Sequence, residues 1–298
     1  MTKIGQLSES LQAIHLHFSG KLHRTLEHAL RVFFNVILFC SFLISNVAFG
    51  QTVSNPHFYS LVAPNGKQSF ILGTIHGGVE ISDLPNQIIQ KLNESSLFVN
   101  EWAFSGDEVA AILGGRIVDE QLKKFIHKGD DISPEIKHQL VADWGVDSRL
   151  ADAIKSNDCS ILSFGGPISS GYMDFHFLDM ARKQNKKTLS LDTQEELDKL
   201  RQLYPTQPCD IRNILNLLTP SQFKSYQLNM IAEYRSGTIP VQDDDPMTKG
   251  RNQIWLSTIS NNLNIGSVFI AVGVDHLYGT HGLLQLLQQL GYQVTRVP

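Results

Sequence analysis

The sequence predicts an α/β fold with a mixed sheet that is built from two related βαβ-type halves and has a helical middle region. Near one end, the run SFILGTIHGG at residues 69–78 precedes a helical pattern and the apolar run SLFVN at 96–100. Near the other end, residues 267–279 precede a helical pattern at 281–290 and an extended run at 292–297. Both units read strand, Gly-x-x-His, helix, strand, and this order requires parallel strands joined by a crossover helix.

A β-hairpin is predicted at the start of the sheet. Two extended runs, at residues 57–64 and 68–75, flank the sequence Pro64-Asn65-Gly66. This sequence is typical of a tight turn, because proline fixes its own φ and glycine accepts a left-handed backbone. The second run leads into the first Gly-x-x-His sequence, so the hairpin places that motif at the end of a strand.

The middle of the chain is predicted to be mainly helical. Ser133 followed by proline is a helix start signal, and Thr193 with Glu196 three residues later has the spacing of a capping box. The run KTLSL at 187–191 is interpreted as a buried strand. Helices are predicted over residues 107–113, 117–127, 133–144, 148–156, 171–184, 193–204, 210–218 and 220–236.

The composition is that of an ordinary globular protein. Charged residues make up 18% and apolar residues 42% of the 298 residues, and a chain of this length forms one large domain or two modest ones. The formal net charge is -4, and no long Lys/Arg run occurs. Because nucleic-acid binding needs a concentrated basic surface, no nucleic-acid partner is expected.

Residues 1–50 are predicted to be an export signal, which leaves 51–298 as the folded domain. Basic residues precede a mostly apolar stretch at 32–49. The small residues of the Ala-Phe-Gly sequence that ends at Gly50 suit a signal peptidase, so a periplasmic or secreted protein is expected. The alternative is a retained membrane anchor, since the apolar stretch is nearly long enough to span a bilayer.

Three cysteines occur in the sequence, and Cys40 lies in the predicted leader. Cys159 and Cys209 remain in the predicted domain, where an oxidising compartment would allow them to form a disulfide. Two unrelated buried thiols are the alternative, and the sequence leaves both interpretations open.

The two Gly-x-x-His sequences, which end at His76 and His276, predict a shared site. In parallel sheets ligands bind beyond the carboxyl ends of the strands, and both sequences are expected there. Glu101 follows the second strand of the first unit, so its carboxylate is expected at the same edge. Two imidazoles and a carboxylate suit a divalent cation, and zinc, manganese, cobalt or iron would fit. A structural role at the sheet edge is the alternative for each residue alone.

Arg251 is predicted to begin a helix at residues 250–262, just before the second unit. A guanidinium near a metal can hold a carboxylate or stabilise developing negative charge. An exposed helix start is the alternative, although a cation there opposes the helix dipole. Asp275 is expected either to hold a histidine or to serve as a turn residue. The acidic run at 243–245 is interpreted as a solvated loop, because the spacing of a calcium site is absent.

Five stretches of the sequence together carry a family resemblance. They are SFILGTIH at 69–76, FVNEW at 98–102, LSLDTQEEL at 189–197, GRN at 250–252 and VFIAVGVDHLYGTHGLLQLLQQLGYQVTRV at 268–297. These stretches resemble the TraB/GumN family, which is related to the Tiki proteases and more distantly to erythromycin esterase and ChaN-like proteins. The resemblance implies a mixed sheet of two related halves and metal-dependent hydrolysis, with peptides as substrates in the Tiki branch.

The resemblance also implies roles for individual residues. His76 and His276 match the paired histidines of the family, Glu101 its acidic residue and Arg251 its arginine. The family often has Leu-Glu-Thr where this chain has aspartate at position 192. This departure leaves Asp192 without an implied role.

The sequence therefore predicts a metal-dependent hydrolase that is a peptidase by resemblance. Glu101 and Arg251 are the predicted catalytic residues, and His76, His276 and Glu101 are the predicted metal ligands. The expected partner is a peptide or small-molecule substrate. The alternative is a non-catalytic protein that binds a peptide, haem or metal at the same site, for example to sequester a signalling peptide.

Overall fold

A computed structural model describes most of the chain beyond residue 52. The described residues are 53–75, 77–101, 130–146, 148–153, 155–156, 173–204, 210–239 and 245–298. Several expectations lie outside them: the leader at 1–50 with its possible anchor at 32–49, His76, the helices at 107–113 and 117–127, the pairing of Cys159 with Cys209, and Asp243 and Asp244.

A mixed β-sheet forms the centre of the fold. Its strands are β1 (Phe58–Val62), β2 (Gln68–Thr74), β3 (Leu97–Asn100), β4 (Lys187–Ser190), β5 (Val268–Gly273) and β6 (Gln293–Arg296). Their order across the sheet is β4-β3-β5-β2-β1-β6. Strands β2, β3, β4 and β5 are parallel to one another, whereas β1 is antiparallel to its neighbours β2 and β6. The predicted mixed α/β sheet is confirmed.

Helices cover both faces of this sheet. Among the described residues they are α1 (Asn86–Glu94), α2 (Pro134–Ala142), α3 (Ser148–Ala153), α4 (Met173–Lys183), α5 (Gln194–Leu203), α6 (Ile211–Leu217), α7 (Pro220–Ser236), α8 (Pro246–Leu263) and α9 (Leu283–Gln289). Ile88 of α1, Phe177 of α4 and Tyr234 of α7 belong to one core. Trp255 of α8 and Leu287 of α9 belong to the other. None of the described helices is both long enough and apolar enough to cross a membrane.

Strand β5 separates the two cores. All six of its residues are buried, as expected of a central strand in a sheet that is covered on both faces. Because side chains alternate along a strand, Phe269 and Ala271 join the first core, and Ile270 and Val272 join the second. The continuous apolar sequence of β5 therefore follows from its position.

The predicted hairpin is formed by β1 and β2. The two strands pair antiparallel, from Phe58 opposite Leu72 to Val62 opposite Gln68. The turn between them contains Gly66 at a φ of 81°, a conformation that residues with a side chain rarely adopt. The hairpin leaves the C-terminal end of β2 beside β5.

Both βαβ units are present, and they interlock. Helix α1 connects β2 to β3, and α9 connects β5 to β6. Strand β5 lies between β2 and β3 in the sheet. Because β2 and β5 are adjacent and parallel, the strands that lead into the two Gly-x-x-His sequences end at the same edge.

Two helix starts lie where the sequence predicts them. The Ser133 side chain accepts a hydrogen bond from the backbone N–H of Ile136 and caps α2. The Thr193 side chain accepts one from the backbone N–H of Glu196 and caps α5. Each cap satisfies a donor that the first turn of a helix would otherwise leave without a partner.

Helix α8 begins earlier than the sequence predicted, and this changes the interpretation of Arg251. The helix starts at Pro246, with the Asp245 carboxylate accepting from the backbone N–H groups of Met247 and Thr248. Arg251 therefore lies in the second turn, and the expected conflict with the helix dipole at its first turn is wrong. The acidic run interpreted as a loop supplies the cap of the helix.

Strand β4 is an edge strand, so the prediction of a buried strand at 187–191 is wrong. Its first two residues are exposed and its last two are half-buried. Among the strands that the structure describes, β4 pairs with β3 alone and lies at the end of the strand order. Exposed polar side chains suit this position, because they limit pairing with other chains.

The helical middle region has a small core of its own. It contains Leu140 of α2, Ala151 of α3 and Ile211 of α6. Phe223 of α7 packs against this core, and its ring lies 5.0 Å from that of Trp144. Since the other end of α7 packs on the sheet, this helix connects the two parts of the fold.

Candidate functional site

Charged and polar side chains gather where the parallel strands end. Glu101 follows β3 directly, Asp192 lies two residues beyond β4, and His276 ends the short 3-10 turn after β5. Strands β3 and β4 end in register, and so do β2 and β5. The parallel topology therefore brings residues from distant parts of the sequence to one edge.

The guanidinium of Arg251 lies at the centre of this group. Its Nη2 donates to Oε2 of Glu101 at 2.5 Å and to Oδ2 of Asp192 at 2.7 Å. Its Nε donates to Oδ1 of Asp192 at 3.3 Å. Its Nη1 lies 3.0 Å from Nε2 of His276. The Arg251 side chain is 17% exposed, and those of Glu101, Asp192 and His276 are 6%, 8% and 5% exposed.

Glu101 joins the arginine to the second Gly-x-x-His turn. Its Oε1 accepts a hydrogen bond from the backbone N–H of Gly273 at 2.5 Å. The same oxygen lies 3.7 Å from Nε2 of His276. One carboxylate thus contacts the first residue of the turn and approaches the imidazole at its end.

Asn252 fixes the orientation of the His276 ring. The Asn252 amide nitrogen donates to the backbone carbonyls of His276 at 3.1 Å and His281 at 2.9 Å. Its oxygen is therefore the acceptor that lies 2.7 Å from Nδ1 of His276. Nδ1 carries the proton in this arrangement, and the lone pair is on Nε2.

Trp255 supports the arginine and the histidine from one side. The Arg251 Cζ atom lies 4.5 Å from the centre of its ring, and the His276 ring centre lies 4.4 Å from it. The indole N–H donates to Oδ1 of Asp192 at 3.0 Å. The indole thus provides a cation–π contact and holds a carboxylate that binds the same cation.

Burial and ion pairing act in opposite directions on the charged groups of the site. Burial raises the pKa of the Asp192 carboxyl, while the Arg251 guanidinium opposes this effect. Burial acts to lower the pKa of Arg251, but the neighbouring Glu101 and Asp192 carboxylates outweigh it and leave that pKa raised. The guanidinium of Arg251 is thus shared by two buried carboxyl groups, those of Glu101 and Asp192.

The two Gly-x-x-His sequences touch each other at Gly73. A Cβ atom at this position would lie 2.7 Å from Cδ1 of Leu277 and 3.0 Å from Cγ2 of Val274. Both neighbours belong to the second turn or follow it directly. Glycine is needed here because any side chain would push the second turn away from the end of β2.

The sequence as a whole matches a known protein family. A profile of the TraB/PrgY/gumN family matches residues 60–296. The chain belongs to this family. The resemblance found in the sequence is thereby confirmed.

Relatives of this TraB/PrgY/gumN chain include two proteins that are both described as "Uncharacterized protein YbaP". One is from Shigella flexneri and the other from Escherichia coli (strain K12). Each is 23% identical over 248 residues, which cover 76% of this chain and 90% of the relative. No solved structure matches the chain.

The structure brings together three of the four residues that the sequence singled out in this TraB/PrgY/gumN protein. Glu101, Arg251 and His276 are in mutual contact or within 3.7 Å. His76 lies outside the described residues, one position after Ile75. Asp275, which was expected either to hold a histidine or to serve as a turn residue, lies in the 3-10 turn after β5 with its side chain exposed, and Asn252 makes the bond to Nδ1 of His276.

Sequence reasoning missed three residues of the site: Asp192, Asn252 and Trp255. Asp192 follows a parallel strand much as Glu101 does, which is a signal that the sequence carried. Arg251 and Trp255 are four positions apart on one helix and therefore share a face. Asn252 lies in the GRN stretch that contributes to the family resemblance, but its role depends on contacts with a turn that is distant in sequence.

The described residues of the site meet part of what a divalent cation needs. His276 has the arrangement of a metal-binding histidine, with one ring nitrogen held by an amide oxygen and the other free of a proton. Glu101 supplies a carboxylate near that second nitrogen. Within the described ranges, however, no three His, Cys, Asp or Glu side chains lie together as a metal site. A third ligand would have to come from elsewhere, and His76 is the candidate.

A second polar cluster lies beside the end of β2, around His57. The backbone carbonyl of His57 accepts a hydrogen bond from the N–H of Gly73 at 2.8 Å. Its ring nitrogen Nδ1 forms a short hydrogen bond with the Tyr278 hydroxyl. Its Nε2 is buried without a hydrogen-bond partner. Burial, with a contribution from nearby Arg296, lowers the pKa of His57 from 6.5 to about 4.

This lowered pKa predicts acid sensitivity. In the unfolded chain His57 is protonated below its ordinary pKa of 6.5, whereas in the folded chain it stays neutral down to about pH 4. The unfolded state therefore binds more protons in this range, and the free energy of unfolding falls as the pH falls. The total loss should be about 3 kcal/mol. Urea unfolding between pH 7 and pH 4 would measure it. His57→Asn, which keeps a polar group near Tyr278, should flatten this dependence, and an equally steep profile would contradict the assignment.

Proposed function

We propose that this protein is a metal-dependent hydrolase with peptides as its substrates. His276, Glu101 and His76 are the proposed ligands of a divalent cation. The observation that carries the proposal is the orientation of His276, whose Nδ1 is bonded to Asn252 while its Nε2 faces the Glu101 carboxylate at 3.7 Å. Buried carboxylates beside a histidine fixed in this way are typical of metal centres.

The place of His76 in this site is supported by the chain on both sides of it. Thr74 is in register with Gly273 in the adjacent parallel strand. Gly73 packs directly against Val274 and Leu277. The segment that leads to His76 therefore lies against the turn that carries His276. The choice of peptides as substrates rests on the resemblance to the Tiki proteases.

The residues of this chain have distinct roles in the proposed reaction. When bound, the cation supplies Lewis-acid polarisation of the scissile carbonyl and a nucleophile at neutral pH. Glu101 holds the cation or accepts a proton from the attacking water. Arg251 donates hydrogen bonds to the negative charge that develops on the carbonyl oxygen, where a buried charged donor is most effective. Asn252 holds the His276 ring in position throughout.

A second candidate function is binding without turnover, of a peptide, haem or a metal. The observation that favours it is the contact between Nη1 of Arg251 and Nε2 of His276 at 3.0 Å. In this arrangement the imidazole nitrogen is occupied by the protein itself. A binding protein could use the buried charges to hold a ligand and would need no open coordination position.

Metal-dependent turnover distinguishes the two functions. Protein stripped with a chelator should not hydrolyse a peptide library, and addition of zinc or manganese should restore hydrolysis. His276→Gln should reduce the restored rate by more than about 100-fold, because even the outer partners of metal ligands contribute about 10–100-fold. His176 on α4 is exposed. The variant His176→Gln is therefore the matched control, and it should leave the rate unchanged.

Two results would refute the hydrolase. One is hydrolysis that is unaffected by the chelator and by His276→Gln. The other is stoichiometric metal binding with no cleavage of any library peptide, which would favour the binding function.

A further inference from the structure

The Nε2 atom of His276 is the point at which the arginine and a cation compete. Nδ1 is committed to Asn252, so Nε2 holds the one lone pair that the ring can offer to a metal. In the structure this lone pair accepts from Nη1 of Arg251, at 3.0 Å. The ring cannot turn to offer another atom without breaking its bond to Asn252.

The distances exclude simultaneous binding. A first-row divalent cation lies about 2.0–2.1 Å from a histidine nitrogen. Placed on the lone pair that accepts from Nη1, it would lie only about 1 Å from that nitrogen. Two cations cannot approach so closely, and Nη1 must leave before the metal enters.

We infer that Arg251 and the cation exclude each other at His276, and that Asp192 and Trp255 hold the arginine when it gives way. This inference rests on the proposed function, since it concerns the regulation of the same metal site. In the absence of a cation, the Arg251 guanidinium thus binds the two proposed ligands, Glu101 and His276, and a cation replaces it there. Asp192 acts as a positioning residue and does not touch the metal.

The contacts of the guanidinium divide into two sets that support this exchange. Asp192 binds the edge formed by Nε and Nη2, at 3.3 Å and 2.7 Å, and Trp255 stacks on Cζ at 4.5 Å. The opposite tip, Nη1, contacts His276. Release of that tip, with loss of the Nη2 contact to Glu101, removes the arginine from Nε2 of His276 and from Oε2 of Glu101. Because the guanidinium is planar and rigid, it leaves His276 as a unit: it turns at Asp192, which keeps a hydrogen bond to it, and stays on the face of Trp255.

Burial of the Asp192 carboxylate favours its continued contact with Arg251. Its carboxylate is 8% exposed, and a buried carboxylate that loses its cation is strongly destabilising. Trp255 also donates to Asp192 at 3.0 Å, which fixes the carboxylate in place. The anchor therefore persists in both states of the site.

The exchange predicts that the apparent metal affinity is weaker than the site alone would give. Only the molecules in which Nη1 has left His276 are competent to bind, and the apparent dissociation constant rises by the inverse of that fraction. Removal of the competing guanidinium should therefore tighten metal binding. An arginine that only contacts substrate would have no such effect.

Calorimetric titration with zinc chloride tests the competition, at pH 7.5 and without substrate. Arg251→Met should bind zinc at least about tenfold more tightly than the wild type, which corresponds to about 1.4 kcal/mol. The Arg251→Lys variant should also bind zinc more tightly than the wild type. Lysine carries a single ammonium nitrogen, and when that nitrogen binds Asp192 the side chain has no second nitrogen for His276. The lysine variant keeps a buried positive charge, and it decides the question if Arg251→Met does not fold.

Asp192→Asn tests the anchor. In the wild-type background it should weaken zinc binding several-fold, although Asp192 is not a ligand, because the displaced arginine loses its place. In the Arg251→Met background the same substitution should have little effect, since no arginine remains to be held. A cycle of four proteins measures this coupling directly.

The outcomes separate this inference from the proposed function. Equal zinc affinity in wild type, Arg251→Met and Arg251→Lys would overturn the exchange and leave the metal site standing. An effect of Asp192→Asn that is the same in both backgrounds would overturn the anchor. Absence of zinc binding in every protein would overturn both the exchange and the metal-dependent hydrolase.

Discussion

Arg251→Met is expected to lower the free energy of unfolding by about 3–5 kcal/mol in metal-free protein, because it leaves two buried carboxylates without their cation. Glu101 and Asp192 are 6% and 8% exposed and both bind Nη2 of the arginine. Methionine preserves most of the side-chain length, so loss of charge dominates the effect. Urea unfolding at pH 7 in the presence of a chelator is the measurement.

The matched control is Arg212→Met, which removes another arginine that binds an aspartate. Arg212 pairs with Asp210 at 2.8 Å, and its side chain is 54% exposed. Exposed ion pairs contribute about 0–1 kcal/mol, so this variant should remain close to the wild type. Similar losses for the two variants would show that the buried site has no special dependence on Arg251.

Gly73→Ala is expected to lower the free energy of unfolding by about 2–3 kcal/mol, the usual range for overpacking in a core. The added methyl group would lie 2.7 Å from Leu277 and 3.0 Å from Val274, and 3.1 Å from the Cβ atom of His57. All three neighbours are buried, at 0%, 6% and 1% exposure respectively, so the added methyl group displaces core side chains. The turn that carries His276 should shift, so the variant should also bind zinc more weakly.

Gly66→Ala separates this packing effect from the general cost of replacing a glycine. A Cβ atom at Gly66 would meet nothing within 4 Å, and only its φ of +81° opposes the substitution. The expected loss is about 1 kcal/mol, without any change in zinc affinity. A stable Gly73→Ala variant with normal zinc affinity would contradict the direct packing of the two motifs.

The edge of the sheet that holds the site was predictable from the sequence. The matching strand, Gly-x-x-His and helix order indicated parallel strands, and parallel strands expose ligand-binding residues where they end. This reasoning placed Glu101 and His276 at one edge before any distance was known. The prediction holds because parallel strands all end at the same edge of a sheet, whatever their order. Strands β2 and β3 therefore end at one edge although β5 lies between them.

The contacts inside the site were not predictable in the same way. The bonds of Arg251 to Asp192 and Glu101 join residues that are 59 and 150 positions apart. They depend on β4, β3 and β5 being neighbours, and strand order is not determined by local sequence. The role of Asp192 therefore became visible only in the assembled sheet.

Two local predictions failed for physical reasons that can be named. The start of α8 was placed too late because three consecutive aspartates suggested a loop, whereas Asp245 before Pro246 forms a helix cap. The run KTLSL at 187–191, which contains β4, was interpreted as a buried strand. Its place at the end of the sheet leaves it half exposed, and that place depends on the topology of the whole sheet.

X-ray absorption spectroscopy of the zinc-loaded protein tests the proposed metal centre most directly. Imidazole nitrogens at about 2.0–2.1 Å and a carboxylate oxygen at about 2.0–2.2 Å are the expected ligands. His276→Gln should remove one imidazole contribution, while His176→Gln should leave the spectrum unchanged. A spectrum without imidazole, or one that both variants leave unaltered, would contradict a cation held by His276.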